Sequence, residues 1–264
     1  MDSIFFFKLL LSFVVGSLWV TMGTVLAERY GTKVGGLVAG LPSTILLSLF
    51  FIAFTQSVEV AARATTIIPV VHGINCLFVV AYVWLLRINF WFALAGSLAL
   101  WLILSLIFVA CRFDSFFLGL IIYAALLGGS YFVLERKLSV RSEAGRPMRY
   151  TLPVILFRSL LGGFIIVVAV VLAKTGGPLL GGMFSVFPTM FVGALLITYF
   201  SHGASFSAGV MKASIIGAMS VVVYAIAVRF TYVPLGLAGG TVLSLAASAV
   251  SSILIHRYLF TRTT

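Results

Sequence analysis

Residues 182–189 read Gly-Met-Phe-Ser-Val-Phe-Pro-Thr, and residues 36–43 read Gly-Leu-Val-Ala-Gly-Leu-Pro-Ser. Each stretch sets a proline and a hydroxyl residue after a glycine at the same spacing, and the two stand 146 residues apart. The same offset aligns Val25-Leu26-Ala27 with Val171-Leu172-Ala173, Gly31 with Gly177 and Gly35 with Gly181, all without a gap. Self-similarity at a fixed offset is the mark of a duplicated structural unit.

The composition says what solvent surrounds that unit. Of 264 residues, 62% are apolar and only 9% are charged. A soluble domain carries about 25% charged residues to cover its surface. This shortage excludes a soluble enzyme, a nucleic-acid-binding domain and a disordered chain. The net charge of +11 therefore speaks of membrane orientation and not of DNA. Apolar residues run unbroken instead of alternating, which excludes a β-barrel. What remains is an all-α, polytopic integral membrane protein. Cys76 and Cys111 lie inside apolar runs with no second ligand at metal or disulfide spacing, and are read as free thiols.

Nine apolar runs approach the ~20 residues that cross a bilayer. They cover 4–27, 34–55, 65–86, 89–111, 115–134, 151–173, 179–201, 210–230 and 234–255. The doubling assigns them as a four-helix repeat in 1–111, a linker helix with a basic loop in 112–150, and a second four-helix repeat in 151–264. The first run matches an internal helix of the second repeat, which argues against a cleaved signal peptide. Four spans plus one linker span is an odd number. The second repeat thus enters from the opposite face, giving inverted-topology repeats of the kind common in secondary transporters. Arg29, Lys33, Arg87, Arg136, Lys137, Arg141, Arg146, Arg149, Lys212, Arg257 and Arg262 fall on one side. Lys8, Arg63, Arg112, Lys174 and Arg229 fall on the other. The positive-inside rule places the N-terminus outside, and the C-terminus and the 135–150 loop in the cytoplasm of an inner-membrane protein.

Pro42 stands eight residues into its run, about 12 Å deep at 1.5 Å per residue, and Pro188 lies at matching depth from the other face. A mid-helix proline lacks an N–H and clashes with the carbonyl four residues back. With Gly40 and the paired glycines upstream, each second helix is expected to unwind and restart with the proline in its first turn. The restarted halves would aim N–H groups and the hydroxyls of Ser43, Thr44 and Thr189 into a shared cavity, with Ser185 on its approach. Helix N-termini favour anions.

Carboxylates are confined to span ends and loops, which weighs against a cation or proton antiporter and removes the acid pair a glycosidase needs. Arg158 lies within a span, with Lys8 as its counterpart, and either points inward or snorkels. His72 and Asn75 share one helix face at i and i+3. Lys212 reads as an interfacial anchor, and Glu59 and Arg63 as a local ion pair in a loop. Gln56 and His202 mark the exits of the broken spans. No metalloprotease, nucleophile-elbow or P-loop motif is present, so no enzyme, cofactor or metal is expected.

The two proline segments resemble the core of the GlpM-like small bacterial membrane proteins, which carry Gly-Leu, a short apolar stretch and Phe-Pro-Thr. Gly182 to Thr189 follows that pattern more closely than Gly36 to Ser43, where Leu41 and Ser43 replace Phe and Thr. The resemblance implies an inner-membrane protein linked to exopolysaccharide production, here as a fused pair. Two functions follow as expectations. The first is a secondary transporter or lipid translocase for an anionic small molecule or lipid phosphate. Its site is expected at Gly40, Pro42, Ser43, Thr44, Ser185, Pro188, Thr189, Arg158, His72 and Asn75. The second is a non-transporting subunit or scaffold of an envelope assembly complex. Membrane lipids are the expected partners, and nucleic acid is not one.

Overall fold

Local capping chemistry punctuates a chain that is otherwise helix throughout. The computed structural model describes residues 3–29, 42–140 and 151–260. Helix α1 covers Ser3–Arg29, α2 Ser43–Thr55, α3 Val58–Ala64, α4 Ile68–Leu85, α5 Phe90–Ala110 and α6 Phe116–Phe132. A single π-helical turn, Val133–Lys137, ends α6. Then follow α7 at Leu152–Thr175, α8 at Pro178–Ser185, α9 at Thr189–Gly217 and α10 at Met219–Phe260. No strand occurs among the described residues. Helices α3, α5 and α6 each begin after a polar residue whose side chain accepts a first-turn N–H. Ser57 accepts from Val60, Asn89 from Phe92 and Ser115 from Leu118.

Six helical stretches among the described residues are long and apolar enough to cross a membrane. The expectation was nine, and the difference has two sources. The run at 34–55 is described only from Pro42 onward. The last three runs merge into one stretch, Pro178–Ile255, of 78 residues. At 1.5 Å per residue such a length would be about 117 Å, roughly four times a ~30 Å hydrocarbon core. It is not one rod, because Gly203 (φ 84°) and Gly236 (φ 69°) take left-handed backbone and break α9 and α10. Pro234 stands beside the second break.

These breaks repeat the punctuation of the first half. Ser57 opens α3, and Gly203, 146 positions on, opens the second part of α9. Asn89 opens α5, and Gly236, shifted by one more residue, opens the second part of α10. Each half thus runs as a long helix, a proline-started helix and further helices that restart at matching places. Residues 58–64, expected as loop, form a helix with Ala61, Ala62 and Ala64 buried. Glu59 on its outer face accepts from Ser57, and that bond, aided by the charge of Arg63, holds its carboxyl below the usual carboxylate range.

Helix α4 is the centre of the molecule: 67% of it is buried, against 22% of α5 and of α6. The outer helices present Trp91, Ile103, Ile107, Phe117 and Ile121 to the surroundings. Exposed apolar residues in such number suit lipid and not water.

The two halves meet most closely along α1 and α7. An ideal Cβ on Gly16 would meet Ile166, and one on Gly162 would meet Val20. Gly163 faces Ser17, and Thr21 bonds Ser159 at 2.6 Å. Position rises on α1 as it falls on α7, so the helices cross antiparallel. Residues 16 and 162, 17 and 163, and 20 and 166 are repeat equivalents, so the contact is reciprocal about a local two-fold, as in an isologous dimer.

A Cβ on Gly163 would lie only 2.8 Å from the Phe13 carbonyl oxygen, a backbone atom that cannot rotate away. Gly163→Ala is expected to destabilise the protein by about 1–3 kcal/mol, the usual cost of overpacking. Gly128→Ala, where nothing lies within 4 Å, is expected to be neutral. Thermal melting in detergent compares the two, and equal melting points would refute the close crossing.

Candidate functional site

Both proline segments deliver a helix start, and the starts match. Pro188 (φ −72°, ψ 43°) immediately precedes α9, and Pro42 (φ −77°, ψ 60°) immediately precedes α2. The Pro188 carbonyl accepts from Val192 N–H at 2.9 Å and the Pro42 carbonyl from Leu46 N–H at 2.9 Å. The prolines therefore cap the helices that follow them instead of sitting within the first turn as expected. At the cap a missing N–H costs nothing, and the ring avoids the clash that continuation would force. Neither start has a side-chain cap bond. Upstream, α8 ends at Ser185, so the second-half helix is interrupted over residues 186–188. The segment preceding Pro42, with Gly40, lies outside the described residues.

The hydroxyls divide into two groups. Ser185 turns back to the Gly181 carbonyl at 2.8 Å, and Thr189 reaches the Phe187 carbonyl at 3.3 Å. Both are spent on local backbone. Thr44 and Ser48, one turn apart on α2, are buried with no partner among the described residues. Ser43 is half-buried at the mouth of the same helix.

His72 and Asn75 reach two of the interruptions in the second half, at Val186 and at Ala218. Asn75 Nδ2 donates to the Val186 carbonyl at 3.0 Å, inside the interruption, and lies 3.3 Å from His72 Nδ1. His72 Nε2 lies 3.0 Å from the carbonyl of Ala218, where α9 gives way to α10. One arrangement of protons accounts for all three of these contacts. The amide donates to Val186 and to Nδ1, and a neutral imidazole donates from Nε2 to Ala218. His72 and Ala218 are themselves repeat equivalents, so this bond also lies where the halves meet. Both side chains thus serve the backbone of the opposite half.

Three further buried polar atoms surround this node without a partner among the described residues: Asn75 Oδ1, Tyr123 Oη and Trp101 Nε1. The Tyr123 ring stands 5.7 Å from His72, and Trp101 stands edge-on to Phe184 and Phe187, which flank the break. Sequence reasoning missed Tyr123 and Trp101. Their signal, a polar tip in the middle of an apolar run, was present but not specific.

Arg158 on α7 is buried, 7% exposed. Its Nη2 lies 3.4 Å from the Met190 sulfur, in the first turn of α9. Gly193, one turn on, leaves room for its stem, since a Cβ there would sit 3.0 Å from Arg158 Cγ. The guanidinium thus approaches the helix start that Pro188 creates. Lys8 is not its equivalent in role. Its Nζ donates to the Phe54 carbonyl at 2.8 Å, against the C-terminal end of α2, where the helix dipole is negative. Lys212, expected as an interfacial anchor, is instead buried, ion-paired to Glu135 and bonded to the Val140 carbonyl at 2.7 Å. That pairing ties the end of α6 to α9.

The geometry defines a membrane-embedded helical protein of two related halves with a polar node at an interrupted helix. Residues 9–113 and 155–261 each match the model of a family described as Protein of unknown function (DUF3147). The chain therefore belongs to that family and carries its unit twice. The likeness to the GlpM-like proteins stays one of short motifs. No curated protein and no solved structure matches the chain.

Asn75→Leu removes both amide donors and leaves the Val186 carbonyl and His72 Nδ1 buried and unpaired. The expected cost is about 1–3 kcal/mol, read as a lower melting point in detergent. A variant as stable as the wild type would show that the break is satisfied by other groups.

Proposed function

We propose that the protein is a secondary transporter or lipid translocase that moves an anionic small molecule or a lipid phosphate. In this reading nine crossings form two inverted-topology repeats joined by the α6 linker, and the ligand rests near the midplane between the two proline-started helices. The N-terminus faces outward, and the C-terminus and the 135–150 loop lie in the cytoplasm of an inner membrane. Ser43, Thr44 and Thr189 would stand at the two helix starts with Arg158 as counter-charge, and His72 and Asn75 would hold the second break open.

The observation that carries this reading is Arg158. A buried guanidinium is costly in a membrane and marks a ligand path by default. Here it approaches a helix N-terminus, itself positive in potential and without a side-chain cap. Both elements favour an anion at that place. The antiparallel crossing of α1 and α7 supports the inverted arrangement. The reciprocal close contacts there support a pivot about which one half rocks against the other.

Proteoliposomes test this with two probes, uptake of radiolabelled inorganic phosphate and flipping of fluorescent phosphatidylglycerol. Saturable movement of either is expected. Arg158→Gln should slow it at least about tenfold, since a charge-assisted bond contributes ~1.5–3 kcal/mol. A folded protein that moves neither probe, but co-purifies with an envelope synthase, would overturn transport in favour of the assembly-subunit reading.

A further inference from the structure

Away from the midplane, the ends of three segments enclose a cleft of about 270 Å³. Arg87, just past α4, faces Ser139 after the π-turn and Ser205 in α9, while Val83, Leu138 and Val140 supply apolar walls. We propose that this cleft holds the phosphate of an anionic phospholipid headgroup at the membrane surface, a site separate from the one around Arg158.

Charge is the first argument. Arg87 is exposed and makes no hydrogen bond or ion pair among the described residues. Among the described residues the acid near the cleft, Glu135, is already neutralised by Lys212, whose ammonium also bonds the Val140 carbonyl in the cleft wall. Arg136 and Lys137 directly precede the lining residue Leu138. Among the described residues the cleft therefore keeps an uncompensated positive charge. A guanidinium fork matches two phosphate oxygens at once, and the hydroxyl of Ser139 can donate to another.

Shape and position supply the second argument. Ser139 holds a left-handed backbone (φ 50°), rare for a residue with a side chain, and this turns the chain after α6 across the mouth of the cleft. The volume lies just below the ~300–1,000 Å³ of ligand pockets, so it suits a headgroup and not a whole lipid. Trp84 and Ile88, either side of Arg87, are 58% and 63% exposed. Tryptophan collects at membrane–water interfaces, and an aliphatic neighbour beside it gives acyl chains a surface to follow. A free anion would gain nothing from those two residues. Basic pockets between helix ends hold lipid headgroups in this way.

Native mass spectrometry of the full-length protein in detergent, with added phosphatidylglycerol or phosphatidylcholine, tests the site. The wild type should retain phosphatidylglycerol at least about tenfold better than phosphatidylcholine. Arg87→Gln should remove most of that preference, because it deletes the charge-assisted contact. Ser139→Gly, which relieves the left-handed strain and removes one hydroxyl, should weaken it by a few-fold while leaving the melting point unchanged or higher. Arg136→Gln, on the same rim but outside the cleft, should have little effect. Three results would overturn the proposal. They are equal retention of the two lipids, an Arg136→Gln loss as large as that of Arg87→Gln, and stabilisation by inorganic phosphate alone that matches phosphatidylglycerol.

Discussion

A helix interrupted in an apolar layer releases backbone groups that no water can meet, and the polar node at the centre of this molecule answers that constraint. The interruption at 186–188 frees the Val186 carbonyl, and Asn75 from the other half of the chain supplies its donor. His72 does the same for Ala218, and the two side chains bond each other. The pair is thus both the partner of the breaks and a joint between the halves. An apolar residue at either position would leave the carbonyl it serves buried without its donor.

The joint depends in turn on how closely the halves approach. Along α1 and α7 the approach is set by Gly16, Gly162 and Gly163, with Ser17 and Thr21 as the small residues that interleave with them. Without a hydrophobic drive between helices in lipid, association rests on such close packing and on hydrogen bonds between side chains. Equivalent residues face each other there, so the duplicated unit behaves as a dimer tied into one chain. The symmetry is incomplete where polarity matters. His72 has Ala218 as its counterpart, so only one half carries the imidazole.

Charge is placed with the same economy. Lys8 lies against the negative end of α2, Lys212 is neutralised by Glu135, and Arg229 bonds Thr66 and stacks over Phe116. Arg158 and Arg87 stand apart from this pattern. One approaches a helix start that already carries positive potential, and the other lines a cleft and meets no acid among the described residues.

Composition alone decided that the chain belongs in a membrane, because 9% charged residues cannot cover a soluble surface. The constant offset between Pro42 and Pro188 decided that the unit is doubled, as the two family matches bear out. The proline restarts were also legible, since a ring that lacks an N–H acts within its own turn and needs no distant partner. The breaks at Gly203 and Gly236 were less so, because a lone glycine is equally at home in a close helix contact. Residues 58–64 read as loop, for their charges mask a buried alanine face that exists only once α3 packs. What the tertiary structure alone decided is where the polar side chains go. Asn75 finds a carbonyl 111 residues away and His72 one 146 residues away. Lys212 finds Glu135 by the same means, across a helix crossing. Such pairings depend on the angle and register at which helices meet, and no local pattern of residues encodes that.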